Sequence, residues 1–435
     1  MNKKKYKILI ISLLILLSTK AISQEKLNFA YVDSTTYNCY LQKDWQNLIK
    51  LSKQALKQNI DYYYLRMRIG IAYYERKQFI KAIPYFTKAI EFNNDTIAIE
   101  YLYYSYIFSG QYFKARLFAH KQDSLINKKL SKNDKPNSLF FDYQYAKNTN
   151  SQPITFEQDV YDQDIATNER YFDFGLTRLT TDRTYLTFSF ARYTNITTHY
   201  HQDLFNENNN ELFDVSQTFI YGGALIHLTK NFNLASYTNF IFGKKTNQNN
   251  LKTRNTPQPQ PYQQQNERYL IPINYNYLQY NFNNFKAELG VCGTRIDSNL
   301  MYYPNLNITY YPLNNNRLEF NAGIEYLNNP RLSENFTKPV YSFGISVILF
   351  KKLTLFANYK LINSKNYIEQ NGFVFFNGDL INNKFLIEST LSFKHFGLFA
   401  RYQYINLTNT YFYNFITTTN NYNNQTILGG IKWNF

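Results

Sequence analysis

From Leu139 to Phe435 the chain alternates between apolar and polar side chains with a period of two. In "RLEFNAGIEYL", Leu318, Phe320, Ala322, Ile324 and Tyr326 alternate with Glu319, Asn321, Gly323 and Glu325. Such alternation makes a strand with one apolar and one polar face. Fourteen runs of this kind begin near Leu139, Arg170, Thr184, Val215, Asn233, Arg268, Phe285, Leu300, Arg317, Val340, Leu353, Lys384, Leu398 and Gln425. Their connections are sorted. Long ones, as at 148–168, 195–214, 244–267, 362–383 and 406–424, take turns with tight ones such as "TTDR", "TKN", "NFNN", "PLNNN", "KK" and "HF".

A soluble sandwich, the alternative all-β reading, has no reason to sort its loops by side. A membrane barrel does: short turns collect at one rim, longer loops at the other, and the strand number is even. No run after the N-terminus approaches the roughly 18–20 apolar residues of a transmembrane helix. The expected fold is therefore α + β in separate domains. An N-terminal helical part precedes an antiparallel transmembrane β-barrel of about 14 strands over residues 139–435. Tyr193, Tyr277, Tyr280, Tyr310, Tyr311, Phe350, Tyr402 and Tyr404 are read as interfacial girdles. Asp173, Lys286, Glu288, Glu319, Glu325, Lys360, Glu388, Lys394, Arg401 and Lys432 are expected to face the lumen. Their mixed charges suit either a water-filled or plugged channel or an internal salt-bridge lattice that braces a narrow barrel.

The chain ends on "ILGGIKWNF", with Ile427, Gly429, Ile431, Trp433 and Phe435 on one face, expected to meet lipid. This tail resembles the last strand of outer-membrane barrels, whose terminal Phe is read by the barrel assembly machinery. The resemblance makes Trp433 and Phe435 the C-terminal signal. It also implies a Gram-negative outer membrane, with its lipid as a partner.

Residues 1–23 read as a signal peptide: basic "NKKKYK", apolar "ILIISLLILL", then "AIS" before a cut ahead of Gln24. A membrane anchor is the alternative. Residues 24–130 carry apolar side chains at helical spacing, and the pattern repeats. Trp45, Leu48 and Ala55 lie 34 residues before Phe79, Ala82 and Ala89, and Tyr112, Ala115 and Ala119 lie 33 residues after Phe79, Ala82 and Phe86. Gly70, Tyr73, Ala82, Phe86, Ala89, Gly110 and Ala115 resemble the tetratricopeptide signature, although Asn94 stands where that pattern usually has Pro. The competing reading is a plain bundle of helical hairpins. A polar linker, "SKNDKPNS" at 131–138, separates the halves.

The chain carries a net charge of +16. Residues 24–137 hold 18 Lys and Arg against 10 Asp and Glu, so the helical part is basic. Such a surface suits acidic partners, here a periplasmic protein or an anionic glycan; no nucleic-acid partner is expected. G-x-S-x-G, H-E-x-x-H, P-loop and C-x-x-C signatures are absent, so no catalytic residue, metal or cofactor is expected. "HYHQD", with His199, His201 and Asp203, reads as a polar outer loop, and the Pro/Gln-rich loop at 255–265 as extended. Repeats followed by a barrel are similar in architecture to exopolysaccharide export porins. The expected function is a channel or export protein with a periplasmic docking domain. The alternatives are a scaffold anchored by a plugged barrel, or a lipid-modifying barrel enzyme using His227 or His395.

Overall fold

A computed structural model describes residues 26–131, 137–148, 161–202, 208–247, 267–296, 299–329, 336–350, 352–364, Tyr367, Glu369, 380–413 and 416–435. Residues 1–23, read as a signal peptide, the Pro/Gln-rich stretch 255–265, Asp203 and most of the polar stretch 131–138 lie outside the described residues. By compactness the chain divides between Leu102 and Tyr103, well before the polar linker at 131–138.

The first unit is helical: α1 Phe29–Leu41, α2 Trp45–Lys57, α3 Tyr63–Glu75, α4 Phe79–Phe92 and the first half of α5 Thr96–Phe108. Side-chain caps start α1 and α2, where Asn28 and Asp44 accept from the amides of Tyr31 and Asn47. Turns between helices place Lys43, Asn59 and Lys77 in the left-handed region. Tyr73, Ala82, Phe86 and Ala89 are buried. A Cβ on Gly70 would stand 2.6 Å from the Phe86 ring, so only glycine lets α3 and α4 meet this closely. Arg68 Nη1 reaches Asp33 Oδ1 at 2.7 Å, tying α3 to α1. Burial pulls the Asp33 carboxyl up, but Arg68 and the Tyr62 hydroxyl outweigh it and hold it below the usual range.

Gly70→Ala tests this contact. Phe86 stacks on Tyr101 with centroids 5.1 Å apart, which opposes its moving aside. The variant should lose about 1–3 kcal/mol of helical stability, seen as an earlier helical melt in circular dichroism. Adding Phe86→Leu should recover part of it.

The second unit contains the end of α5, then α6 Tyr112–His120, α7 Ser124–Ser131 and fourteen strands. These are β1 Ser138–Asn148, β2 Tyr161–Thr181, β3 Thr184–Gln202, β4 Asn208–His227, β5 Phe232–Asn247, β6 Glu267–Phe282, β7 Phe285–Ile296, β8 Asn299–Tyr310, β9 Leu318–Asn329, β10 Phe336–Leu349, β11 Leu353–Ser364, β12 Leu380–Ser392, β13 Phe396–Tyr413 and β14 Ile416–Asn434. Each strand pairs antiparallel with its sequence neighbours, and β1 pairs with β14 to close the barrel. Closure leaves no free edge, the condition for strands to cross a bilayer. Outward side chains are mostly apolar, including Phe174, Phe188, Leu289, Phe343 and Ile427. The fold is that of an outer-membrane β-barrel.

Several expectations change. Segments 195–214 and 406–424, read as long loops, are largely strand: β3 pairs with β4 as far as Gln202↔Asn208, and β13 with β14 as far as Tyr413↔Ile416. Beyond the bilayer both faces meet water, so pairing continues without the alternation that announces it. His199 and His201 of "HYHQD" therefore lie in β3. Among the girdle candidates, Tyr280, Tyr310, Phe350 and Tyr402 are exposed, whereas Tyr193 and Tyr277 pack against the barrel's interior. The rim girdle is instead a row of stacked rings, Phe232–Tyr280–Phe282–Phe285–Tyr310, with centroids 4.5 to 5.5 Å apart.

Candidate functional site, the barrel lumen

The lumen candidates read from the sequence are all charged, but the inner wall is not uniform. It is polar in one part and apolar in another. Ala191, Phe219, Ile241, Ile271, Ile273, Tyr275, Cys292, Met301, Tyr303, Leu327, Val340, Ile362, Ile381, Ile405 and Leu407 form one buried cluster with Tyr367. Its members come from every strand between β3 and β13. Tyr367 lies between β11 and β12 and is 0% exposed.

Polar contacts hold that segment in place. The Tyr367 hydroxyl donates to Glu325 Oε2 at 3.0 Å and accepts from Lys360 Nζ at 2.8 Å. Lys360 also lies 3.6 Å from Glu325 Oε1, and Glu369 pairs with Lys384. Of the lumen candidates, Glu325 and Lys360 thus come together, joined by Tyr367, Glu369 and Lys384. Sequence reasoning missed those three. Tyr367 and Glu369 sit in a non-alternating connection, and in the sequence Lys384 reads only as a strand start.

A second group lines the wall elsewhere. Arg401 clasps Glu388 through Nε and Nη2 at 2.9 and 2.6 Å. Asp173 stands opposite Asp142, and each keeps a buried carboxylate oxygen without a partner among the described residues. Glu288 accepts from Tyr275 at 3.0 Å. Lys286 and Glu319 alternate with outward residues on β7 and β9 and so face inward. Lys432 has the inward register but is exposed. Lys394 is no lumen residue: it lies exposed in the turn between β12 and β13. Trp433 and Phe435 are half-exposed on the outer face.

The tight-turn mouth is occupied by α6, which follows Gly110 at φ 76°. Phe113 lies flat on the His227 ring, centroids 3.5 Å apart. Lys114 Nζ donates to Asn231 Oδ1 at 3.1 Å, Arg116 donates to the Tyr185 hydroxyl, and His120 lies 3.2 Å from Asp182. Ala115 and Ala119 are buried. His227, one of the two catalytic candidates, is instead covered by Phe113 and bonded through Nδ1 to Asn233 at 2.6 Å. The other, His395, lies near Trp433.

Burial, with Lys230 nearby, brings the Lys114 ammonium down to about 8. The docked form therefore favours the neutral amine. Raising the pH through about 8 should tighten the docking of α6 until lysine's ordinary value near 10.4 is reached. Protection of residues 103–131 from proteinase K should rise from pH 7.5 to 10 in the wild type, relative to a Lys114→Met variant. Equal profiles would remove Lys114 from the docking.

Solved structures with similar barrels include the toluene transporter TodX of P. putida (8% identity, TM-score 0.44, covering 74% of this chain and 92% of that one). A Pseudomonas aeruginosa FadL homologue matches at 9% identity and TM-score 0.40, covering 69% and 90%. The Ralstonia pickettii toluene transporter TbuX matches at 6% and 0.44, covering 69% and 90%. No family model and no curated protein matches the chain.

Proposed function

We propose that this chain is an outer-membrane channel whose resting state is closed, with its N-terminal helices serving as a periplasmic docking module. The observation that carries this reading is the ion-paired attachment of Tyr367 and Glu369 inside the barrel. A lumen filled for good needs only apolar side chains. Buried ion pairs are poor stabilisers, because desolvation offsets their attraction. Their placement on a loop segment suits a closure that can be withdrawn.

The helical hairpins read as tetratricopeptide repeats. Lys43, Lys77 and Gly110 take the left-handed conformation at the same turn of successive hairpins, and stacked repeats present a concave surface for a partner. The basic excess suits a periplasmic protein or an anionic glycan. An anchored scaffold with a sealed barrel is the second reading, favoured by α6 across the tight-turn mouth. Planar-bilayer recordings of the full chain decide between them. A gated channel shows rare openings that variants of the closure multiply; a sealed anchor stays silent in all of them.

A further inference from the structure

The outer wall carries its own anomaly. On β6 the usual arrangement is turned inside out: Ile271, Ile273 and Tyr275 point inward, while Asn274 and Asn276 point outward. Cross-strand register extends this into two rows. One runs Gly222, Thr238, Asn274, Gly293 across β4, β5, β6 and β7. The other runs Ala224, Ser236, Asn276, Val291. Apolar side chains bracket both rows along the strands, with Phe240 exposed on one side and Leu234 and Leu278 on the other. The polar rows therefore lie at mid-height of the lipid-facing belt.

Hydrocarbon offers amides nothing to bond. Within the patch, Asn274 donates to Thr238 Oγ1 at 2.9 Å and Asn276 donates to Asn274. Two carboxamides bring four N–H donors, and this chain of bonds uses two. The glycines add an independent sign. A Cβ on Gly222 would meet nothing nearer than 3.9 Å, and on Gly293 nothing nearer than 4.0 Å. The barrel's own packing does not require glycine at either position. In a strand, such a residue marks the close approach of another backbone.

We propose that this patch, on β4 to β7, is where a second copy of the same chain packs in the membrane. Two copies inserted in the same direction are related by an axis along the membrane normal, so each height meets itself. Only self-complementary chemistry fits that constraint. A carboxamide qualifies, since it both donates and accepts, and the two rows contain no charged residue that would repel its own image.

Disulfide trapping in whole outer membranes tests this, using the full chain with Cys39→Ser. Asn276→Cys should give an oxidised band of twice the chain's mass. Ile345→Cys, outward on β10 away from the patch, should give none. In native mass spectrometry the wild type should be dimeric. Asn274→Leu with Asn276→Leu should lower the dimer fraction at least tenfold while the barrel still assembles, because leucine suits lipid. A wild-type monomer with no trapped band overturns the proposal, as does a trapped band containing a different protein.

Discussion

Tyr367→Ala should raise the open probability of the proposed channel by about two to three orders of magnitude. Removing a fully buried aromatic side chain costs about 3–5 kcal/mol, and each 1.4 kcal/mol is a factor of ten in an equilibrium. In the proposed gating the loss falls on the closed state alone, the one in which Tyr367 meets the cluster and the Glu325–Lys360 pair. Tyr367→Phe separates the two contributions. It keeps the ring and loses the hydroxyl, leaving Glu325 and Lys360 short of a buried partner at about 1–3 kcal/mol, so its openings should be intermediate. Because α6 occupies the tight-turn mouth, Tyr367→Ala is best recorded with and without Phe113→Ala. If both remain as silent as the wild type, the resistance lies elsewhere and the sealed anchor is the better reading.

Ile387→Arg should prevent barrel assembly, measured as loss of the heat-modifiable folded form. Ile387 is 44% exposed on the outer face of β12, the third outward residue from the tight turn, beside Ala357 and Tyr402. Arginine near the midplane costs about 2–4 kcal/mol. Phe320 is also outward, and its sequence pattern alone makes Phe320→Arg look equally damaging. The register changes that: Phe320 pairs with Tyr310 in the rim girdle, where arginine costs about 0–1 kcal/mol. Glu319→Lys, on the inner face, should be tolerated. Equal behaviour of Ile387→Arg and Glu319→Lys would reverse the assignment of faces.

The barrel was legible because lipid enforces a simple rule along most of the wall. Fourteen alternating runs and the two kinds of connection led to fourteen strands, and Ile387 and Phe320 fell on the expected face. The rule says nothing about what fills the interior. Ile271, Ile273 and Tyr275 alternate as faithfully as any lipid-facing set, so their inward direction emerges only from the register. Tyr367 lies in a connection without periodicity. Two residues of the α6 segment, Ala115 and Ala119, satisfy the helical repeat pattern and are buried. Nothing in that pattern distinguishes Phe113, Lys114 and Arg116 as contacts to strand ends. Lys394 fails for a local reason: a turn interrupts the alternation just where it was extrapolated.

Closure through β1 and β14 also has a consequence for biogenesis. Asn137 and Phe435 exchange backbone hydrogen bonds, at 3.3 and 3.0 Å, so the first strand of the sheet finds its closing partner only in the last one. Every other strand can zip onto its sequence neighbour, but this seam joins the most distant parts of the unit and has the largest loop-closure entropy against it. Until it forms, β1 and β14 each offer a bare hydrogen-bonding edge. A chain clipped before Ile416 could never seal, and would stay permanently open to strand addition. The seam thus makes the presence of β14 a condition of closure, so that a copy lacking it keeps two bare edges where the intact barrel has a sealed wall.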